Sequence, residues 1–300
     1  KSILPHHTFI QYTATPQAPL FINILDNLSP NFIQLLTPGE KYTGGQAFFQ
    51  ENHFIFKWYG KPYLKLIKQF KNIFTSDSRS KEILESHSVK NVSFNGDTRF
   101  DRVNAIAQRA KSFEDIATFK GNRKLLIVGS SWQQEEELVQ ELLESKPNNL
   151  AIVIAPHDLK RSDEIAAKLT AHSPKKFTEG NSNEKDSVLI LDTMGMLSSV
   201  YQYADFALIG GGFSGALHNI LEPAVWGCHL SFGPKTKKFP EAQDFIDQGF
   251  AFAITEPQQW VKDINSLLAD TAKLETIQHK AKTYTSSQIG ATQIILDNIG

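Results

Sequence analysis

Apolar runs alternate with amphipathic segments throughout the second half of the chain. Lys124–Gly129, Leu150–Ala155 and Phe206–Ile209 are apolar without polar alternation, which is typical of strands buried on both faces. Segments with helical spacing separate these runs, and the first one opens with Ser131 as its predicted N-cap, followed by acidic residues. Strands and helices that alternate in this way predict an α/β fold with a doubly wound parallel sheet.

The same reading predicts the remaining elements and two domains. We predict domains over residues 1–118 and 119–300, joined by a polar helical stretch at 104–118. In residues 1–56 the apolar positions show no clear helical or strand periodicity. Further strands are predicted at 72–75, 89–94, 188–191, 229–232 and 250–254, and further helices at 76–84, 158–171, 196–203, 241–248, 257–268, 270–287 and 288–298. Ligands of doubly wound folds bind at the carboxyl ends of the strands, in the loops that follow them.

Composition narrows the class of protein. Hydrophobic residues make up 41% and charged residues 21% of the chain, as in soluble globular proteins. A net charge of −1 gives no general attraction to nucleic acid. The single cysteine, Cys228, excludes an internal disulfide and is expected to be a buried structural thiol. No apolar run reaches the length of a membrane span, and a first residue Lys1 instead of Met predicts that N-terminal residues are missing.

A basic amphipathic helix is predicted between residues 61 and 71. Its apolar positions fall at helical spacing, and four lysines occupy the other side. Such a helix can rest on an anionic membrane surface, or it can be an ordinary surface helix with a solvated lysine face. The residue pattern leaves both interpretations open.

A glycine-rich turn follows the predicted strand Phe206–Ile209. Gly210, Gly211 and Gly212 reach backbone conformations that other residues avoid, and a helix is predicted from Leu217. The start of a helix after such a turn suits a phosphate group. Asn219 and Glu222, three residues apart on that helix, suit the hydroxyl groups of a sugar. The pattern predicts a sugar-nucleotide site, although similar turns also occur where no ligand binds.

Several motifs together resemble those of 3-deoxy-D-manno-octulosonic acid (Kdo) transferases, over roughly residues 54 to 300. The motifs are Asn95-Gly-Asp-Thr-Arg-Phe-Asp, Gly129-Ser-Ser-Trp, Asp192-Thr-Met-Gly-Met-Leu, Gly210-Gly-Gly-Phe, His218-Asn-Ile-Leu-Glu-Pro and Phe232-Gly-Pro. The sequence Phe56-Lys-Trp-Tyr-Gly resembles the corresponding sequence in family members from Bacteroidetes-like bacteria. The resemblance implies a GT-B fold of two Rossmann-like domains, of which the first is incomplete here.

The resemblance also implies a reaction and its participants. Family members transfer Kdo from CMP-Kdo to lipid A precursor (lipid IVA) during lipopolysaccharide biosynthesis, at the cytoplasmic face of the inner membrane. They use neither a metal in the chemical step nor a cofactor. Nucleotide-sugar contacts carried over by motif are Ser130, Ser131, His157, Gly195, Met196, Gly211, Gly212, Phe213, Ser214, Asn219 and Glu222.

The chain departs from the family pattern at two places. Pro156 stands where members have an Arg that faces the phosphate, so His157, Lys160 or Arg161 is expected to compensate. The family's general base lies in a Gly-Glu pair well over a hundred residues before Asn95, which this chain does not contain at that spacing. The alternatives are therefore a CMP-binding module without turnover and a GT-B transferase that uses a UDP-sugar.

Overall fold

The computed structural model describes Leu64 and residues 67–299, which fall into two compact units. The described part of the first unit consists of Leu64 and residues 67–96 and 292–299, and the second unit is Asp97–Ala291. Residues 61–63, 65 and 66 of the predicted basic helix and the Phe56-Lys-Trp-Tyr-Gly motif lie outside the described residues. Among the described residues, no helix combines the length and the apolar character needed to cross a bilayer.

The first unit contains two short parallel strands with a helix between them. Strand β1 is Ile73–Thr75, helix α1 is Ser78–Ser86 and strand β2 is Val92–Phe94. Asp77 caps α1, because its Oδ1 accepts the backbone N–H of Ser80 at 2.7 Å.

The second unit is built on seven strands. They are β3 (Lys124–Ser131), β4 (Leu150–Pro156), β5 (Lys175–Lys176), β6 (Val188–Ile190), β7 (Phe206–Ile209), β8 (His229–Phe232) and β9 (Ala251–Ala253). Every pairing is parallel, and the order across the sheet is β5-β6-β4-β3-β7-β8-β9. The chain crosses from one side of β3 to the other between β6 and β7, which makes the loops after β3 and β7 the topological switch point of the sheet.

Helices cover both faces of this sheet. The helices of the second unit are α2 (Thr98–Gln108), α3 (Glu114–Lys120), α4 (Gln133–Glu144), α5 (Ser162–Lys168), α6 (Leu197–Val200), α7 (Leu221–Val225), α8 (Pro240–Asp247), α9 (Pro257–Ala269) and α10 (Thr271–Ser287). Helix α11 (Ala291–Ile299) follows them in the chain, and its residues 292–299 belong to the first unit. Along β3, Leu125 and Ile127 pack into one apolar cluster and Leu126 and Val128 into another, on the opposite face. The absence of polar alternation in the strands therefore reflects burial on both sides, as predicted.

Two helix starts differ from the sequence-based prediction. The helix after the glycine turn begins at Leu221 instead of Leu217, so His218 and Asn219 precede it. Ser131 ends strand β3 and does not cap α4; its hydroxyl donates to Glu136, and Trp132 occupies the N-cap position. The helix propensities of these residues do not reveal that Ser131 belongs to a strand, because β3 extends to Ser131 only through its pairing with Pro156 of β4.

The polar stretch predicted as a connector between domains packs within the second unit. Phe100 and Val103 of α2 and Ile116 and Phe119 of α3 are buried and join the same apolar cluster as β3. Cys228 is fully buried in this cluster, which confirms the predicted structural thiol.

Candidate functional site

The loops after β3 and β7 meet at the switch point of the sheet. The N–H of Gly210 donates to the carbonyl of Gly129 at 2.9 Å, and a Cβ atom on Gly210 would collide with the carbonyl oxygen of Ser130. Ser130 itself has a φ of 53°, an unusual value for a residue that carries a side chain. The two loops are therefore in direct backbone contact, which requires glycine at position 210.

The next glycines are required by the protein's own backbone. Gly211 has a φ of 86°, and its carbonyl accepts N–H bonds from Ser214, Gly215 and Ala216 at 3.2, 3.1 and 2.9 Å. A Cβ atom here would collide with the carbonyl of Ala216, and one on Gly212 would meet the backbone of Gly233. The space left by the missing side chains of Gly211 and Gly212 is therefore occupied by backbone atoms of the protein itself.

A buried carboxylate holds the glycine turn in place. Glu135, in the first turn of α4, is 1% exposed; its Oε1 accepts the N–H of Gly211 at 3.1 Å and its Oε2 the N–H of Trp132 at 3.0 Å. Burial raises the pKa of Glu135, and these two hydrogen bonds partly oppose the rise. Because Gly211 donates its N–H to Glu135, that group is not available to a phosphate in this conformation.

Arg161, one of the three residues expected to compensate for Pro156, is paired with Glu136. Arg161 forms an ion pair with Glu136, whose Oε1 also accepts from Ser131 at 3.3 Å. The Ser131 side chain is fully buried. Neither Ser131 nor Arg161 is therefore free to contact a ligand while this network is intact.

Asn219 and Glu222 form a hydrogen-bonded pair at the start of α7. Asn219 Oδ1 accepts the N–H of Leu221 at 3.0 Å, and its Nδ2 donates to Glu222 Oε1 at 3.0 Å. Burial raises the pKa of Glu222, while the bond from Asn219 and the attraction of Arg102 partly lower it. The structure thus brings together the two residues predicted to hold sugar hydroxyls.

This pair opens into a cavity of about 290 Å³ within the second unit. Arg99 and Arg102 of α2 also line this cavity. The other lining residues are Val103, Ile106, Leu217, His218, Leu221, Phe239 and Glu241. Sequence reasoning missed Arg102, although its position three residues after Arg99 predicts that both lie on one face of a helix.

Three aromatic rings form a stack beside the switch point. Trp132 lies 4.3 Å from His157 between ring centroids at an interplanar angle of 25°, and His157 lies 4.7 Å from His218. Trp132 is 41% exposed. Burial lowers the pKa of His218, and repulsion from His157 is a second, smaller cause of the same shift. Three separate loops supply these rings, so no sequence pattern reveals the stack.

The remaining predicted contacts lie in different environments. Gly195 is exposed with a φ of 84°, whereas Met196 beside it is 8% exposed and belongs to the apolar core. Phe213 packs partly buried against the core, and the Ser214 hydroxyl donates to the carbonyl of Gly211 at 3.0 Å. Within the described ranges, no group of three or more His, Cys, Asp or Glu side chains is arranged to hold a metal ion.

Comparison with known proteins identifies relatives of this chain. No protein-family model matches it. It is 30% identical over 152 residues to the 3-deoxy-D-manno-octulosonic acid transferase of Bordetella pertussis. The aligned region covers 49% of this chain and 36% of that protein. The protein of the same name from Aquifex aeolicus is 24% identical over 212 residues, 68% of this chain and 56% of that protein. The chain is a relative of the Kdo transferases.

This relative of the Kdo transferases also shares their fold. The C-terminal CMP-Kdo binding domain of WaaA from Acinetobacter baumannii superimposes with a TM-score of 0.50 at 24% identity, over 61% of this chain and 96% of that domain. The likeness confirms the α/β class and the Rossmann-like fold predicted for the C-terminal domain of a GT-B protein. The chain spans about half the length of the curated relatives it matches.

Proposed function

We propose that this chain carries the donor-binding part of a glycosyltransferase that transfers Kdo from CMP-Kdo to lipid A precursor in lipopolysaccharide biosynthesis. The observation that carries the proposal is the Asn219–Glu222 pair, which lies in a motif resembling that of Kdo transferases and opens into a cavity beside the switch-point loops. The sequence similarity to curated Kdo transferases supports the same assignment.

The geometry of the pair suits the sugar part of a nucleotide. Asn219 orients the Glu222 carboxylate through a hydrogen bond at 3.0 Å. The second carboxylate oxygen makes no hydrogen bond with the described residues and can accept one from a ribose or sugar hydroxyl. A carboxylate fixed in this way loses little conformational freedom on binding, which favours affinity.

The nucleotide itself would lie against the switch-point loops. Ser130, His157, Gly195, Gly212 and Phe213 stay proposed contacts there. His157 is exposed, so its ring is accessible to a phosphate or a base. His157 directly follows Pro156, and Pro156 stands at the position where family members have an arginine.

The acceptor and the location also belong to the proposal. Lipid A precursor is a membrane lipid, so the transferase would act at the cytoplasmic face of the inner membrane as a peripheral or anchored protein. A sugar acceptor also needs a general base, for which no residue of this chain is assigned. The alternatives are a CMP-binding module without turnover and a transferase for a UDP-sugar.

Calorimetric titration tests the donor site. We expect CMP to bind the parent chain, and Glu222→Ala to weaken binding about tenfold or more, since a hydrogen bond to a charged group contributes about 1.5–3 kcal/mol. Glu137→Ala, an exposed carboxylate on α4, is the control and should leave binding unchanged. Unchanged CMP binding by Glu222→Ala would refute the site, and preference for UDP over CMP would favour the UDP-sugar alternative.

An activity assay separates the transferase from the binding module. The parent protein is incubated with CMP-Kdo and lipid A precursor, and CMP release is measured. Turnover that depends on the acceptor supports a transferase. CMP binding without turnover by the full-length protein supports the module.

A further inference from the structure

A second cavity, of about 160 Å³, lies away from the switch-point loops. His229 in its wall is the first residue of β8 and pairs with Phe206 at the amino end of β7, whereas the glycine turn follows the carboxyl end of β7. Trp260 and Ile264 of α9 also line the cavity, and they belong to the apolar cluster on the sheet face opposite Leu217. The cavity is therefore separate from the proposed donor site.

His229 places an unsatisfied polar ring at this cavity. The residue is 9% exposed, and its Nδ1 has no hydrogen-bond partner among the described residues. Asp263 and Lys273 also line the cavity and act on the ring through their charges, but within the part of the chain that the structure describes neither forms a hydrogen bond or salt bridge with it. Because buried polar groups are nearly always hydrogen-bonded, the ring lacks a partner that a molecule in the cavity can supply.

The rest of the cavity surface suits an aromatic ring better than a cluster of water. Trp260 Nε1 already donates to Ser231 Oγ at 3.0 Å, so the indole N–H is not available to water. A buried water makes about three hydrogen bonds, whereas an apolar cavity of about 150 Å³ holds benzene. The apolar residues that line the space are Phe252, Trp260, Ile264, Leu267 and Ile277.

We propose that this cavity binds a small phenol, a single aromatic ring with one hydroxyl group, whose hydroxyl group forms a hydrogen bond with the His229 ring. Burial lowers the pKa of His229 to about 4, so at pH 7 the neutral ring has one donor and one acceptor nitrogen. A hydroxyl group both donates and accepts, and it can therefore satisfy either nitrogen. The site does not depend on the proposed transferase function.

The test compares two ring compounds of similar size, phenol and toluene. The parent chain is titrated with each, and binding is followed by NMR through the indole N–H signal of Trp260. A purely apolar cavity should prefer toluene, because phenol gives up the hydration of its hydroxyl group. We expect the parent chain to bind phenol more tightly than toluene. A preference for toluene, or binding of neither compound because water alone occupies the cavity, would overturn the proposal.

Variants assign the preference to His229. His229→Leu removes both ring nitrogens and should weaken phenol binding about three- to tenfold, the effect of one neutral hydrogen bond, with toluene binding unchanged. Leu267→Trp should weaken the binding of both compounds, because the larger ring fills the cavity. His279→Leu, an exposed position on α10, is the matched control and should bind both as the parent does.

Titration with CMP separates this inference from the proposed function. His229→Leu should bind CMP as tightly as the parent chain, because the cavity lies away from the switch-point loops. Phenol binding that is equal in His229→Leu and the parent would overturn the role of His229 and leave the donor site untouched. Absence of CMP binding by a parent chain that prefers phenol would count against the proposed function alone.

Discussion

Glu135 Oε1 accepts the backbone N–H of Gly211 at 3.1 Å and thereby joins the first turn of α4 to the glycine turn after β7. The other oxygen of the same carboxylate accepts the N–H of Trp132 at 3.0 Å. One buried side chain thus fixes both loops of the switch point. The glycine turn differs from a simple phosphate-binding loop, because the N–H of Gly211 is already used inside the protein.

Replacing Glu135 with Gln should therefore weaken the donor site from a distance. Gln has only one acceptor oxygen, so one of the two N–H groups loses its partner in a buried environment, at a cost of about 1–3 kcal/mol. We expect a lower free energy of unfolding in urea and weaker binding of CMP. Glu137→Gln, two residues later but exposed, is the matched control. Equal stability of Glu135→Gln and Glu137→Gln would contradict this role.

Gly211→Ala should be far more disruptive than the same change at Gly180. Both glycines have positive φ values, 86° and 67°, so alanine is strained at either position by about 1–3 kcal/mol. Only at Gly211 would the new methyl group collide with backbone, the carbonyl of Ala216; nothing lies within 4 Å at Gly180. Thermal unfolding of the two variants measures the difference. A similar loss of Tm in both would show that the turn relaxes easily.

His229 should make the protein less stable in acid. It is buried in β8, its Nδ1 has no partner among the described residues, and burial lowers its pKa to about 4. The unfolded chain therefore binds a proton between about pH 6.5 and pH 4 that the folded chain does not, and stability falls as the pH falls through that window. From pH 7 to pH 5 this amounts to about 2 kcal/mol.

The variant His229→Phe isolates this contribution. It removes the titrating group, and a small cavity beside position 229 leaves room for the larger ring. Urea unfolding at pH 7 and pH 5 should show a smaller loss of stability for His229→Phe than for the parent chain. His279→Gln, an exposed histidine on α10, should behave like the parent. If His229→Phe loses as much stability as the parent, another group causes the acid sensitivity.

Local pattern was sufficient for much of the fold. The strands β3, β4 and β7 were predicted within a few residues, because a strand covered on both faces must be apolar at every position. Six motifs taken together were sufficient to indicate the resemblance to the Kdo transferase family, and the stretch from Gly210 to Glu222 predicts a sugar-nucleotide site. The start of α7 was placed four residues early, because Asn219 binds the N–H of Leu221 outside the helix, and propensity does not distinguish that turn from a first helical turn.

By itself, then, the sequence determined the parallel α/β sheet, the loops that carry the proposed site and the closeness of Asn219 to Glu222. These features follow from local periodicity and from residues close together in the chain. Only the tertiary structure decided that Glu135 engages the glycine turn, that Arg161 is paired with Glu136, and that Arg102 and Glu222 line the same cavity. Each of these relationships joins residues 25 to 120 positions apart, and side chains so far apart in sequence meet only when the sheet order places their loops side by side.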